Sequence, residues 1–202
     1  MEIEKRSFEM ISGILEEKGI VLDPENEQVI KRVIHTTADF DYAENLVFSQ
    51  NAVRLGIEAL KSGCDIVTDT QMAKSGINKT ALAKLGGEVH CFMSDEDVAE
   101  EAKARGITRA AVSMEKAAAL DRPLIFAIGN APTALIALNG LIGEGGFMPK
   151  LIIGVPVGFV NVVESKELII ASSVPHIVAR GRKGGSNVAA AIVNALLYQI
   201  TR

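Results

Sequence analysis

Residues 124–142 read LIFAIGNAPTALIALNGLI, and this stretch decides the fold class. Its length and apolar character fit a membrane span, but Asn130, Pro132, Asn139 and Gly140 interrupt it. The residues before the first asparagine are typical of a buried strand, and those after the proline are typical of a helix. The stretch therefore predicts a strand-turn-helix unit of an α/β domain and no membrane span.

Similar short apolar runs recur along the chain, as expected for a parallel sheet that is covered on both faces. They predict a Rossmann-like three-layer sandwich over residues 1–202, with a mostly parallel five-stranded sheet and an N-terminal helical hairpin. The predicted strands lie near 64–68, 88–93, 124–128, 151–155 and 168–172. The predicted helices lie near 5–18, 25–35, 49–62, 70–75, 79–85, 95–105, 109–121, 131–143, 158–163 and 185–200, so three of them precede the first strand.

Composition excludes several classes of protein. The chain has 202 residues and is 48% hydrophobic, which is enough for one domain with a full core. A net charge of −4, 4% aromatic residues and no Trp argue against nucleic-acid binding, which needs a basic face or stacking platforms. The charged N-terminus lacks the apolar segment of a signal peptide, so we expect a cytoplasmic protein. Cys64 and Cys91 lie in apolar runs and are interpreted as reduced core thiols, with zinc binding or a disulfide as the weaker alternative.

Arg32 and His35 lie three residues apart near the predicted end of the second helix, so their side chains lie on one side of it. A guanidinium and an imidazole at such a place can hold an anionic ligand and move a proton near neutral pH. The alternative is that Arg32 is a solvated surface charge and that His35 interacts with the helix dipole. The pattern alone leaves both interpretations open.

In an open parallel sheet, ligands bind beyond the carboxyl ends of the strands. Residues 65–72, 128–135 and 154–161 are predicted at that edge, and in the second of them Asn130 is predicted to cap the following helix. Residues 178–187 place three cations and several glycines before the last helix, which suits a carboxylate or phosphate site or else a solvated loop.

No cofactor or metal site is predicted. Residues 178–187 do not match a Walker loop, because Lys183 precedes the glycines and no strand is predicted to end directly before them. The glycines of residues 143–146 follow a predicted helix and not a strand, which argues against a dinucleotide fingerprint. No H-E-x-x-H motif or carboxylate cluster indicates a metal. His90 alternates along a strand and is interpreted as structural, and His176 is a weaker candidate for the site.

Five motifs, in order along nearly the whole chain, resemble those of the precorrin-8X methylmutases and their counterparts, the cobalt-precorrin-8 methylmutases. The motifs are Arg6-Ser7-Phe8, Arg32-Val-Ile-His35, Ile128-Gly-Asn-Ala-Pro-Thr-Ala-Leu135, Gly154-Val-Pro-Val-Gly-Phe-Val160 followed by Glu164-Ser165-Lys166, and Arg180-Gly-Arg-Lys-Gly-Gly-Ser186.

This resemblance implies a homodimeric isomerase of cobalamin biosynthesis that moves a methyl group from C-11 to C-12 of the corrin precursor. The product is hydrogenobyrinate or cobyrinate, and no methyl donor or other cofactor is used. The proton-transferring histidine of the family corresponds to His35, and its substrate contacts correspond to Ser7 and Arg32. From their placement we add Arg109, Arg180 and Arg182 as candidates for binding the carboxylates of the substrate.

Two alternatives stay open at this point. The chain could be a corrinoid-binding carrier without catalysis, although the presence of His35 favours the enzyme. It could also bind another anionic metabolite, in which case the match would extend to the fold only. The sequence does not decide whether the natural substrate carries cobalt.

Overall fold

The computed structural model describes residues 2–201, and these contain a six-stranded mixed sheet between two layers of helices. The strands are β1 (Leu46–Phe48), β2 (Asp65–Thr68), β3 (Val89–His90), β4 (Leu124–Ile128), β5 (Leu151–Gly154) and β6 (His176–Ala179). The helices are α1 (Glu2–Glu17), α2 (Glu27–Thr37), α3 (Tyr42–Asn45), α4 (Ala52–Lys61), α5 (Gln71–Gly76), α6 (Lys79–Ala83), α7 (Glu96–Arg105), α8 (Arg109–Ala118), α9 (Pro132–Gly143), α10 (Val162–Ile170) and α11 (Ser186–Thr201).

The strand order is β1-β6-β5-β4-β2-β3, and every neighbouring pair is parallel except β1 with β6. The chain adds β3 on one side of β2 and then returns to form β4 on the other side. The carboxyl ends of β2 and β4 therefore flank the point at which the direction of chain growth reverses. In open α/β sheets such a point is the usual position of a ligand.

The two faces of the sheet belong to separate cores, because successive strand side chains point to opposite sides. Ile125 and Ala127 of β4 contribute to the core beneath α2, α4 and α11, whereas Phe126 and Ile128 contribute to the core beneath α8, α9 and α10. All of these strand residues are buried. The predicted strand-turn-helix unit at residues 124–142 is confirmed as β4 and α9.

Two predictions about the sheet are wrong. It has six strands and not five, because two strands that were not predicted, Leu46–Phe48 and His176–Ala179, pair antiparallel with each other, whereas one predicted strand does not form. Residues 168–172 form no strand, and α10 occupies residues 162–170 in place of the shorter helix predicted at 158–163. The buried residues of α10 follow helical spacing, which outweighs the local β-propensity of the apolar run. They are Val162, Ser165, Lys166 and Ile169.

The predicted N-terminal hairpin is formed by α1 and α2. Ile11 and Leu15 of α1 are buried in the same core as Val29 and Val33 of α2, and α2 packs in turn on α11. Within residues 2–201, none of the helices combines the length and the apolar character that crossing a membrane requires.

Gly129 allows α11 to approach the end of β4. A Cβ atom at this position would lie 2.6 Å from the Cα atom of Ser186 and 2.8 Å from the carbonyl oxygen of Gly185. Both neighbours are backbone atoms and have no rotamer that avoids the overlap. The contact between the start of α11 and the end of β4 therefore depends on glycine at position 129.

We predict that Gly129→Ala destabilises the protein by about 1–3 kcal/mol, because the added methyl group displaces the start of α11. Gly140→Ala is the matched control, since Gly140 lies inside α9 and a Cβ atom there meets nothing within 4 Å. The control should gain about 0.5–1 kcal/mol from its higher helix propensity. Urea unfolding of both variants tests the pair, and equal stability of the two variants would contradict this account of the contact.

Candidate active site

The carboxyl edge of the parallel strands carries most of the predicted site residues, and Asp69 dominates its centre. Asp69 follows β2 directly and is 1% exposed. Its carboxylate accepts hydrogen bonds from the backbone N–H groups of Gly129 at 2.9 Å, Asn130 at 2.8 Å and Ala131 at 2.6 Å. Burial raises the pKa of Asp69, and the three amide donors oppose that shift.

Asp69 thereby fills the place at which an α/β fold commonly binds phosphate. The free N–H groups at the start of α9 point at a carboxylate of the protein itself and not at a ligand. The predicted capping role of Asn130 is wrong, since the residue before α9 is Ala131 and its amide bonds to Asp69. The amides of Gly129, Asn130 and Ala131 are therefore already bonded, and an anion at this edge would need other donors, such as side chains.

His35 lies in the last turn of α2 and is exposed. Its ring centroid is 5.7 Å from that of Phe8 in α1, and the two rings are tilted by 41°. Ser7, the neighbour of this phenylalanine in α1, is half-buried. The first two motifs of the sequence therefore meet in space, and they leave an imidazole open to a ligand.

Arg32 also contacts Phe8, but its guanidinium lies between two rings. The Cζ atom is 4.9 Å from the ring centroid of Phe8 and 5.1 Å from that of Tyr198, and the guanidinium pairs with Glu4. These four residues line a cavity of about 410 Å³ together with Lys5, Gln28, Ala195 and Gln199. Arg32 is thus a partly buried, stacked cation and not a solvated surface charge. Its predicted contact with substrate stays a prediction.

Lys183 joins the segment after His35 to the loop after β6. Its Nζ atom donates to the carboxylates of Asp39 and Asp41, each at 2.6 Å. These ion pairs hold the pKa of Asp39 below its usual value, mainly through the hydrogen bond from Lys183. We call residues 180–185 the basic loop, and this loop is fixed to the end of α2 by the lysine.

The basic loop begins directly after β6, so the prediction that no strand ends before it is wrong. The Arg180 guanidinium makes two hydrogen bonds to Glu167, at 2.8 and 3.3 Å. The Arg182 guanidinium instead lies 5.8 Å from the ring centroid of Phe159, a residue of the loop after β5 that is 82% exposed. Within residues 2–201, Arg182 makes no ion pair.

Arg109 lies at the same edge, on the other face of the sheet. It is the first residue of α8, and Thr108 before it donates to the hydroxyl of Thr133 in the first turn of α9 at 2.9 Å. Arg109 is exposed and has no ion pair within the described residues. Of the predicted substrate-binding arginines, Arg109 and Arg182 therefore have guanidinium groups that are free to bind an anion.

Lys166 is a residue of this region that the sequence reasoning left without a role. It is fully buried, and its Nζ atom donates to the carbonyl oxygens of Gly181 at 2.7 Å and Lys183 at 2.9 Å. Burial lowers its pKa to about 8. Its place on the apolar stripe of α10 is a signal in the sequence that could have revealed it. Asp39 and Asp41 carried no such signal, because their partner lies more than 140 positions away.

The other histidines lie away from this edge. His176 opens β6 at its amino end, and burial lowers its pKa, so it does not line the site. His90 is confirmed as structural, with Nε2 3.0 Å from the Asp65 carboxylate. Cys64 and Cys91 are free and buried, as predicted. Among residues 2–201, no group of three or more His, Cys, Asp or Glu side chains could hold a metal ion.

Known proteins are similar to this sequence along almost the whole chain. Residues 2–199 match the family described as CbiC, precorrin-8X methylmutase. Two relatives are named cobalt-precorrin-8 methylmutase. The one from Salmonella typhimurium is 48% identical, over 98% of this chain and 94% of the relative. The one from Leptospira interrogans is 47% identical, over 96% and 91%.

A solved structure shows the same fold. The precorrin-8X methyl mutase of Thermus thermophilus superposes with a TM-score of 0.85 at 37% identity, over 98% of this chain and 96% of that chain. The family match spans all five motifs and the edge of the sheet that carries them. The chain therefore belongs to the precorrin-8X methylmutase family.

Proposed function

We propose that this methylmutase moves a methyl group from C-11 to C-12 of precorrin-8X or its cobalt-bearing counterpart, with His35 as the group that transfers the proton. One observation carries the proposal: the His35 imidazole is exposed in the last turn of α2, contacts Phe8, and is followed by a segment that ion pairs join to the basic loop after β6. A fixed imidazole open to a ligand is what general acid catalysis near neutral pH requires.

The chemistry asks little else of the protein. The bond from the methyl carbon to C-11 breaks as the bond to C-12 forms, so the product is an isomer and no methyl donor is consumed. A proton that His35 gives to the ring system polarises it towards migration, and the proton returns when the more conjugated product forms. The pocket then accelerates the reaction by fitting the migrating geometry better than the starting one.

The carboxylates of the corrin precursor explain why cations remain free in a protein whose net charge is −4. Arg109 and Arg182 can bind a substrate carboxylate without first losing an acidic partner. Arg32 and Arg180 are paired with Glu4 and Glu167, so a substrate carboxylate would have to replace those partners. We therefore assign anchoring mainly to Arg109 and Arg182, with Ser7 beside His35 as a further contact. A well-formed hydrogen bond to a charged group contributes about 1.5–3 kcal/mol.

We further propose that the natural substrate carries cobalt and that the enzyme acts in the cytoplasm. Three relatives with 47–48% identity are named for the cobalt-bearing substrate. The free, buried thiols of Cys64 and Cys91 are consistent with a reducing compartment. In this proposal cobalt belongs to the substrate and is not a cofactor held by the protein.

Exposed apolar side chains support a homodimer. Ile3 and Met10 lie seven residues apart on one face of α1 and are 83% and 61% exposed. In the loop after β5, Phe159 and Val160 are 82% and 78% exposed. Surface of this kind usually meets another protein or a ligand. We propose that a second copy covers α1 and thereby encloses the space in front of His35.

For the catalytic proposal, we predict that His35→Ala still binds corrinoid but turns it over about 10²–10⁴-fold more slowly. His35→Phe should behave alike, since it restores bulk without a proton. Single-turnover absorbance with cobalt-loaded and metal-free substrates gives the rates, and native protein should prefer the cobalt form. Full turnover by His35→Ala would remove this residue from the mechanism. Corrinoid binding by native protein without turnover would indicate the carrier function instead.

For anchoring, Arg182→Gln and Arg109→Gln should each raise KM about 10-fold or more while kcat changes less, because each removes a hydrogen-bonded charge pair. Arg54→Gln is the matched control, since among residues 2–201 this exposed arginine forms an ion pair only with Glu58 on α4. Steady-state kinetics at several salt concentrations provide the measurement. An unchanged KM in both site variants would show that these arginines are solvated surface residues and do not bind the substrate.

For assembly, sedimentation at micromolar concentration should show a dimer, and Met10→Lys should shift it towards monomer with loss of turnover. Met148→Lys is the control, because Met148 is 59% exposed but precedes β5, at the opposite end of the strands from the site. The control should remain dimeric and active. A monomeric native protein with full turnover would exclude the shared pocket.

A further inference from the structure

We propose that Lys166 is a positioning residue of the methylmutase. It fixes the conformation of the basic loop, and that conformation in turn exposes Arg182 and holds the segment that follows His35. The inference deepens the proposed function and rests on it. Lys166 itself does not touch the substrate, because its side chain is fully buried. It acts through the backbone of residues 180–185.

The first step is the bond pattern of the ammonium group. Nζ of Lys166 donates to the carbonyl oxygens of Gly181 and Lys183, at 2.7 and 2.9 Å, so it holds the loop on both sides of Arg182. The side chain of Ser165, the neighbour in α10, donates to the carbonyl of Val162 within its own helix and to no other group of residues 2–201. Lys166 is therefore the member of this pair that connects α10 to the ligand-binding edge.

The second step is what the loop holds in turn. The carbonyl of Arg182 accepts a hydrogen bond from the Gly158 amide at 3.2 Å, and the Gly185 amide donates to the carbonyl of Val155 at 2.9 Å. Lys183 reaches across to Asp39 and Asp41, which follow His35 in the chain. The segments after α2 and after β5 thus both bond to the loop after β6, which is anchored by one buried lysine.

The third step is the electrostatic cost of this arrangement. Glu164 and Glu167 lie on α10 itself, and the loop contributes Arg180, Arg182 and Lys183. Glu167 pairs with Arg180, and within residues 2–201 no carboxylate forms an ion pair with Lys166. Burial without a counter-ion lowers the pKa of Lys166 to about 8. An apolar side chain of similar size would avoid this cost, so stability alone does not explain a lysine here.

The test compares Lys166→Met with Ser165→Ala, a control at an equally buried neighbour whose hydrogen bond stays inside the helix. Lys166→Met should unfold at the native temperature or above it. Its kcat/KM should nevertheless fall about 10–100-fold, the scale expected for a displaced binding group, with KM carrying much of the loss. The control should keep native kcat and KM. Native kinetic constants in Lys166→Met, or a loss that only follows the unfolded fraction, would overturn the proposal.

Lys166→Gln adds a graded variant. Its uncharged amide can still donate to one of the two carbonyls, so its KM should lie between those of the native protein and Lys166→Met. This series stays informative if the methionine variant folds poorly. If Lys166→Gln were as impaired as Lys166→Met, with no intermediate KM, the result would contradict the positioning role of Lys166.

Hydrogen exchange separates this inference from the proposed function, because it needs no substrate. In Lys166→Met, peptides that cover residues 36–41 and 180–185 should exchange faster, while peptides from β4 should remain protected. If they do so and native protein has no methylmutase activity, the proposed function fails and the anchoring of the loop stands. Unchanged exchange in both peptides would exclude Lys166 as the anchor.

Discussion

The hydrogen bonds that the Asp69 carboxylate accepts from three backbone amides are the interaction on which the rest of the structure depends. It joins the end of β2 to the start of α9 at the point where the sheet changes its direction of growth. In related architectures the backbone amides at this point bind phosphate. Here they are saturated by the protein, so the fold keeps the geometry of a nucleotide-binding sheet without the free amides that such a ligand needs. Recognition shifts along the edge to loops that carry cationic side chains.

Which of those cations can bind an anion depends on their local ion pairs and not on the net charge of the protein. Lys183 is held by Asp39 and Asp41, and Arg180 by Glu167, so both help to shape the edge. Arg182 rests against the exposed ring of Phe159 and Arg109 stands at the start of α8, both without an acidic partner in the described chain. A protein of negative net charge can thus present positive charge where an anionic substrate binds. Pairing the other cations also reduces the conformational freedom lost on binding.

The sequence predicted the parts of the fold whose signal is local. The apolar run of β4 and the turn into α9 could be identified because length, proline and glycine all favour one structure there. The three residues of β1 are too few to show a pattern, and they become a strand only through pairing with β6. The prediction of a strand at residues 168–172 was wrong because β-branched residues in an apolar run suggest a strand. The buried residues of α10 instead follow helical spacing.

The site was predictable to a similar extent. His35, Ser7 and Arg32 were predicted from motifs and the other arginines from their placement, and the structure brings His35 and Phe8 of two motifs together. The carboxylate that satisfies the start of α9 was not identified, because Asp69 lies about sixty positions before the amides that it accepts. The buried charge of Lys166 was missed for a different reason, because part of α10 was predicted as a strand and its helical stripe was not recognised. A lysine in a sequence indicates solvent until the packing of its helix is known.

The antiparallel pairing of β1 with β6 also bears on the order in which the protein is made. Leu46 pairs with Ala179, and α2, which carries His35, packs on α11 at the end of the chain. Contacts between such distant segments close late, after the local units have formed. During synthesis, the strand that borders the site has no partner until the final quarter of the chain leaves the ribosome. Until α11 is made, the helix that carries His35 packs on α1 and α3 but lacks its most extensive neighbour, so the position of the histidine is completed late.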